Sequence, residues 1–100
     1  MANYRLTNKA VEDLAEIWNY TVDAWSENQA DHHYHMLLDS FQDIASGTVV
    51  GKNYEGIFTW LLGIKAGKHI IFYRKVASDI VEIVRVLHEQ MDLRNRILEE

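Results

Sequence analysis

Three of the chain's five histidines crowd into one short segment, Asp31-His32-His33-Tyr34-His35, with Asp39 a turn further on. At about 100° per residue, Asp31, His32, His35 and Asp39 fall in one narrow wedge of a helix. His35 lies one turn from each aspartate. Imidazole and carboxylate groups at that interval are the kind of ligands zinc takes. A metal centre also needs a concave wall and groups that orient its ligands. This wedge lies opposite the apolar side that carries Tyr34 and Phe41, so we read it as a solvated face and assign no metal or other cofactor.

A second set consists of Lys68, Arg74, Arg85 and His88. If the segments carrying them pair as an antiparallel hairpin, the four come to neighbouring rows of one sheet. A cationic cluster there can grip a phosphate or a partner's carboxylates, arginine supplying a bidentate fork. The alternative is that Arg85 pairs with Glu82, Asp79 or a helix acid and lays its stem over apolar surface. Both readings stand at this point. Trp18, Trp25, Trp60 and the tyrosines offer rings for base stacking, but Trp18 and Trp25 fall on a helix stripe suited to core packing. No glycine-rich phosphate loop, nucleophile elbow or hydroxyl paired with a base is present, so no catalytic residue is assigned. His88, Arg85, Arg74 and Lys68 are the candidates if the chain cleaves RNA.

The elements that would position these groups follow from periodicity. Tyr4 to Thr7 alternates as a first strand, and Thr7 or Asn8 can cap the helix that follows. From Lys9 to Trp25, the apolar residues Val11, Leu14, Ala15, Trp18, Val22 and Trp25 recur every three or four positions, with Glu12, Asp13 and Glu16 on the other side. Ser26 and Gln29 form a capping box for a second helix, whose apolar face runs from Ala30 through Leu37 and Phe41 to Ala45 and whose stop is Gly47. So short a connection predicts an antiparallel helical hairpin.

Gly47 to Gly56 reads as loop, and Ile57 to Lys65 as a strand with Phe58, Trp60, Leu62 and Ile64 on one face. Gly67 turns the chain into Lys68–Lys75, and Ile80–His88 completes a hairpin of β-branched and aromatic residues. In that last strand Val81, Ile83 and Leu87 should point one way and Ile80, Val84 and Val86 the other. Being apolar on both sides, it should lie inside its sheet. Met91 to Ile97 can form a terminal turn or helix. The expected fold is α+β: an N-terminal strand, a two-helix hairpin, then a three-stranded antiparallel meander, as one domain over residues 1–100.

Composition narrows the function classes. One hundred residues with 48% hydrophobic and 25% charged content suit one globular core. Cysteine is absent, which suits a reducing cytoplasm. No apolar run reaches the roughly 20 residues of a membrane span. The net charge of −5 argues against a protein that embraces nucleic acid through its backbone.

Two stretches carry a family resemblance. Gly67-Lys68-His69-Ile70-Ile71-Phe72-Tyr73-Arg74, followed by Val81-Glu82-Ile83-Val84-Arg85-Val86-Leu87-His88-Glu89-Gln90-Met91-Asp92, resembles the "H-x-I-F-Y-R" and "V-x-I-x-R-[IV]-L-H-x-x-[RM]-D" segments of the ParE branch of the RelE/ParE toxins. Thr7 to Leu14 is similar to the family's "T-x-x-A-x-x-D-L". From Ala30 to Gly56 the likeness is loose, and the family's prolines are missing. The resemblance implies a β-α-α-β-β-β fold and a toxin of a type II toxin–antitoxin pair. The ParE-like branch poisons DNA gyrase; the RelE-like branch cuts message on the ribosome with basic residues and a C-terminal tyrosine or histidine. Here the terminal stretch lacks tyrosine, and Phe58 and Thr59 stand where the nuclease branch carries a basic residue. The expected role is therefore gyrase inhibition by binding, with Arg74, Arg85, His88, Met91 and Asp92 as target or partner contacts. A ribosome-dependent mRNA interferase and a non-toxic, antitoxin-binding remnant are the alternatives. The expected partners are gyrase and a ParD-like antitoxin with a basic tail, which docks on the helical hairpin and sheet edge as a hetero-oligomer. No membrane and no sequence-specific nucleic acid is expected among them.

Overall fold

The computed structural model describes residues 3–98. Its elements are β1 (Asn3–Leu6), α1 (Asn8–Ala24), α2 (Glu27–Ser46), β2 (Lys52–Asn53), β3 (Leu62–Ala66), β4 (His69–Ala77), β5 (Ile80–His88) and α3 (Leu93–Leu98). The five strands form one sheet in the order β1-β5-β4-β3-β2, with β1 parallel to β5 and every other pair antiparallel. As its two apolar sides imply, β5 lies inside the sheet. Among the described residues no helix is long and apolar enough to cross a membrane.

The helix ends obey local chemistry. Thr7 Oγ1 accepts from the Ala10 amide at 3.1 Å and opens α1, while Ser26 Oγ accepts from Gln29 at 3.1 Å and opens α2. Gly47 closes α2 at φ 79°, a conformation that favours glycine. The helical hairpin covers one sheet face, packing Leu14, Leu37, Phe41 and Ile44 on Ile71, Tyr73, Val81, Ile83 and Val86. The other face is also covered. Ile70, Phe72 and Leu87 lie under Leu61 and Ile97, with Tyr54, Phe58 and Leu93 around them.

Three expectations are corrected. In β5, Val86 faces the helices and Leu87 the opposite side, because Val84 is an extra residue: Phe72 pairs with Arg85 but Tyr73 pairs with Ile83. A bulge of this kind reverses the alternation beyond it. The strand expected from Ile57 begins only at Leu62. Before it the chain folds back on itself, Tyr54 donating to Leu61 O and Leu61 donating to Phe58 O, so Phe58 and Trp60 stack on each other at 4.8 Å. The loop before that holds the two-residue β2, whose polar Lys52 and Asn53 show no apolar pattern to read.

The third correction concerns α1. Its inward face carries Ala10, Asp13 and Leu14, with Val11 and Trp25 exposed instead of buried. The rotation brings Asp13, expected on the wet side, to 6% exposure. Its carboxylate accepts from Arg85 Nε and Nη2, both at 2.8 Å, and from the Val86 amide at 3.0 Å. Geometry demands this. β1 ends at Leu6, so β5 beyond Ile83 has no strand on that side. Thr7 and Asp13 complete the ladder there: the Thr7 amide donates to Ile83 O, Thr7 Oγ1 donates to Val84 O, and Asp13 takes the Val86 amide. Arg85 Nη1 in turn donates to the Arg96 carbonyl, which ties α3 to the same corner.

Breaking a buried ion pair strands the surviving charge, at a cost of about 3–5 kcal/mol. Asp13→Ala should therefore lower the melting temperature severely, and Asp13→Leu with Arg85→Met should lose far less than the two single changes added together; thermal unfolding of these four variants measures this. Gly63 gives a second check. A Cβ there would sit 2.5 Å from the Tyr54 ring, which packs edge-on to Phe72. Gly63→Ala should cost about 1–3 kcal/mol by overpacking, read as a shift in the urea midpoint with an unchanged slope.

Candidate functional site

An open hollow of about 760 Å³ lies where the helical hairpin overhangs the start of β4 and the end of β5. Ile17, Tyr20 and Trp25 line it from α1 and the bend that follows, His33 from α2, and Lys68, His69, Leu87, His88 and Met91 from the sheet side. The short link between α1 and α2 explains why it is there. α1 stops at Ala24 and Ser26 caps the next helix, which leaves the Trp25 ring 74% exposed at the rim.

One wall is a row of imidazoles. His69 and His88 are direct partners across β4 and β5, with ring centroids 5.4 Å apart, and His33 approaches His69 at 5.3 Å. Burial lowers the His69 pKa to about 4, with His33 and His88 adding to the effect and Glu89 opposing it. Burial, then neighbouring His32, also lowers His33. Nδ1 of His69 is buried and has no hydrogen-bond partner among the described residues. Protonating the ring would add a charge to a desolvated site, so His69 stays neutral near pH 7. Around this row, His88 Nδ1 accepts from the Gln90 amide at 3.1 Å. Glu89 pairs with Lys65 at 2.8 Å, a hydrogen bond that lowers the Glu89 pKa.

The other sequence-derived candidates separate. Lys68 and His88 sit at the hollow, whereas Arg74 lies five residues along β4, roughly 16 Å away at the usual rise per residue. There Arg74 donates to Glu82 at 2.8 Å, Glu82 also takes Arg5 at 3.1 Å, and the Arg74 guanidinium lies 5.3 Å over the Trp60 ring. Arg85 is in the Asp13 pair, the helix acid among its expected partners. Met91 is exposed at the mouth of the hollow. Asp92 binds the amide and side chain of Asn95 at the start of α3. Asp31, His32, His35 and Asp39 all face solvent, His35 Nδ1 lying 3.5 Å from Asp31 Oδ1. Among the described residues no three His, Cys, Asp or Glu side chains converge as a metal ion would need.

His33 and His69 were not among the residues singled out from the sequence. The signal existed for one pair: counting outward from the β4–β5 turn, where Ala77 opposes Ile80, brings His69 opposite His88. The bulge at Val76 in β4 and the one at Val84 in β5 cancel over that distance.

Comparison with known proteins gives this geometry a family. A family model described as the ParE toxin of the type II toxin–antitoxin system parDE matches residues 4–93. The chain is 32% identical over 92 residues to Toxin ParE1 of Mycobacterium tuberculosis, covering 92% of this chain and 94% of that one. It is 34% identical over 94 residues to Toxin ParE1 of Caulobacter vibrioides, covering 94% and 96%. Toxin ParE of Escherichia coli is 30% identical over 97 residues, covering 97% and 94%. A solved structure of the chromosomal ParDE system from P. aeruginosa superposes with a TM-score of 0.73 at 16% identity, over 88% of this chain and 96% of that one, and shares the fold. On the match across nearly its whole length, this chain belongs to the ParE toxin family of type II toxin–antitoxin systems.

Proposed function

We propose that this ParE-family chain is a gyrase-directed toxin of the cytoplasm, acting by binding and held silent by a cognate antitoxin. The observation that carries the binding reading is the commitment of its arginines. An RNA-cleaving site would draw on Lys68, Arg74, Arg85 and His88 together to hold and protonate a phosphate. Here Arg85 is held by Asp13 on the helix-covered face and Arg74 by Glu82 on the opposite face of the sheet. That spacing supports His88 and Met91 as contacts with target or antitoxin, Arg74 and Arg85 as organisers of the sheet, and Asp92 as the group that sets α3 against it. The exposed hollow and the helical hairpin beside it supply the surface for an antitoxin segment.

Purified protein added to DNA gyrase should block supercoiling and accumulate cleaved DNA, and the co-expressed antitoxin should restore activity. Full supercoiling at several-fold molar excess of toxin would overturn this. In a translation extract the message should stay intact; cleavage that disappears in His88→Ala would assign the chain to the interferase class instead.

A further inference from the structure

Chain-wide charge and local charge disagree at the hollow. The chain carries a net −5, which by itself favours a basic partner. Around the imidazole row the balance reverses. His33 faces His69 from α2, with His32 beside it on the solvent side, His88 lies opposite on β5, and Lys68 on the turn before β4. Of the nearby acids, Glu89 is paired with Lys65, and Asp13 with Arg85, across the hollow on α1. Glu16 of α1 and Arg96 of α3 complete the charged lining. The same hollow gathers three of the large apolar side chains that the fold leaves exposed: Tyr20 at 71%, Trp25 at 74% and Met91 at 38%. Apolar rings beside a proton-accepting imidazole wall flanked by Lys68 fit an apolar segment that carries a carboxylate.

We propose that this hollow seats an acidic, apolar segment of the antitoxin, and that seating it draws one proton onto the His33–His69–His88 row. The proposal rests on the antitoxin reading above and adds the place and its regulation. In the free chain His69 is neutral near pH 7, because burial disfavours its charge and the imidazoles of His33 and His88, packed at 5.3 and 5.4 Å, oppose it further. A carboxylate laid against the row supplies the missing counter-charge and raises the pKa of one imidazole. One proton is taken up and not two, since the first repels the second along the row. The sign follows. Between the free value of about 4 for His69 and its raised value in the complex, binding takes up a proton, so affinity rises as pH falls. For one proton the limit is about tenfold per pH unit. Acidification would then tighten neutralisation of the toxin.

The test is calorimetric titration of the full chain with its full-length co-encoded antitoxin from pH 7.5 to 5.5, in buffers of different ionisation heat. Wild type should take up close to one proton and bind several-fold tighter at the acid end. His69→Gln and, separately, His88→Gln should remove most of the uptake, and Trp25→Ala, on the exposed rim, should weaken binding at least tenfold at both pH values. Binding without proton uptake, uptake unchanged in both histidine variants, or wild-type affinity in Trp25→Ala would each overturn the proposal while leaving the antitoxin reading intact. No binding at any pH would overturn both. Self-association of the chain alone at pH 5.5, abolished by Trp25→Ala, would give the hollow to a second copy instead.

Discussion

The Asp13–Arg85 pair is the constraint on which the rest of the structure depends. It joins residues 72 apart in sequence, and it fixes four things in one place. α1 is rotated to present Asp13. The unpaired edge of β5 is closed at Val86. Arg85, a charge in the middle of an apolar strand, is neutralised. The carbonyl of Arg96 brings α3 against the same corner. A carboxylate that accepts three hydrogen bonds is far from a loose surface pair, for which the gain is small. Replacing it by apolar residues could in principle stabilise the fold, but the Val86 amide would then lack an acceptor, so the pair holds the backbone as well as the charge.

This arrangement divides the molecule's cations by task. Arg85 belongs to the interior. Arg74 and Arg5 share Glu82 on the far side of the sheet, with Trp60 under the Arg74 guanidinium. Beside Arg96 and the Asp13–Arg85 pair, the hollow holds Lys68 and the imidazoles, and an imidazole's charge is adjustable in a way that arginine's is not. A ParE-family chain with a net negative charge can thus keep one locally cationic, partly apolar surface. Gly67, at φ 62°, turns β3 into β4 and so sets Lys68 and His69 at its edge.

Much of the fold was legible because local chemistry and periodicity agreed. Thr7, Ser26 and Gly47 mark their helix ends as their residue types say they should, and the two apolar sides of Ile80–His88 announce an interior strand. What failed had physical reasons. Pattern reading assigns Asp13 to water because it treats every carboxylate as solvated; only the partner 72 residues away makes burial favourable. Val84 breaks the alternation without any glycine or proline to signal it. Trp60 and Phe58 read as strand residues, yet their rings are satisfied by stacking on each other in a turn. The parallel pairing of β1 with β5 leaves no local trace, since nothing near Tyr4 names a strand that begins at Ile80. The candidate site was half legible. Lys68, His88 and Met91 converge, but the proximity of His33 depends on how α2 crosses the start of β4.

That parallel pairing bears on how the protein comes into being. Among the described residues the first strand has no neighbour in the sheet except the last one, and α1 is held at Asp13 by a residue of that same strand. During synthesis the helical hairpin can form as soon as it leaves the ribosome, because its contacts are local. It then waits, with the face meant for Ile71, Ile83 and Val86 uncovered, until β5 arrives. A chain interrupted before Ile80 therefore has neither a closed core nor an edge for β1. The closing strand thus serves both ends of the chain, covering the apolar face of the helical hairpin and giving β1 its partner.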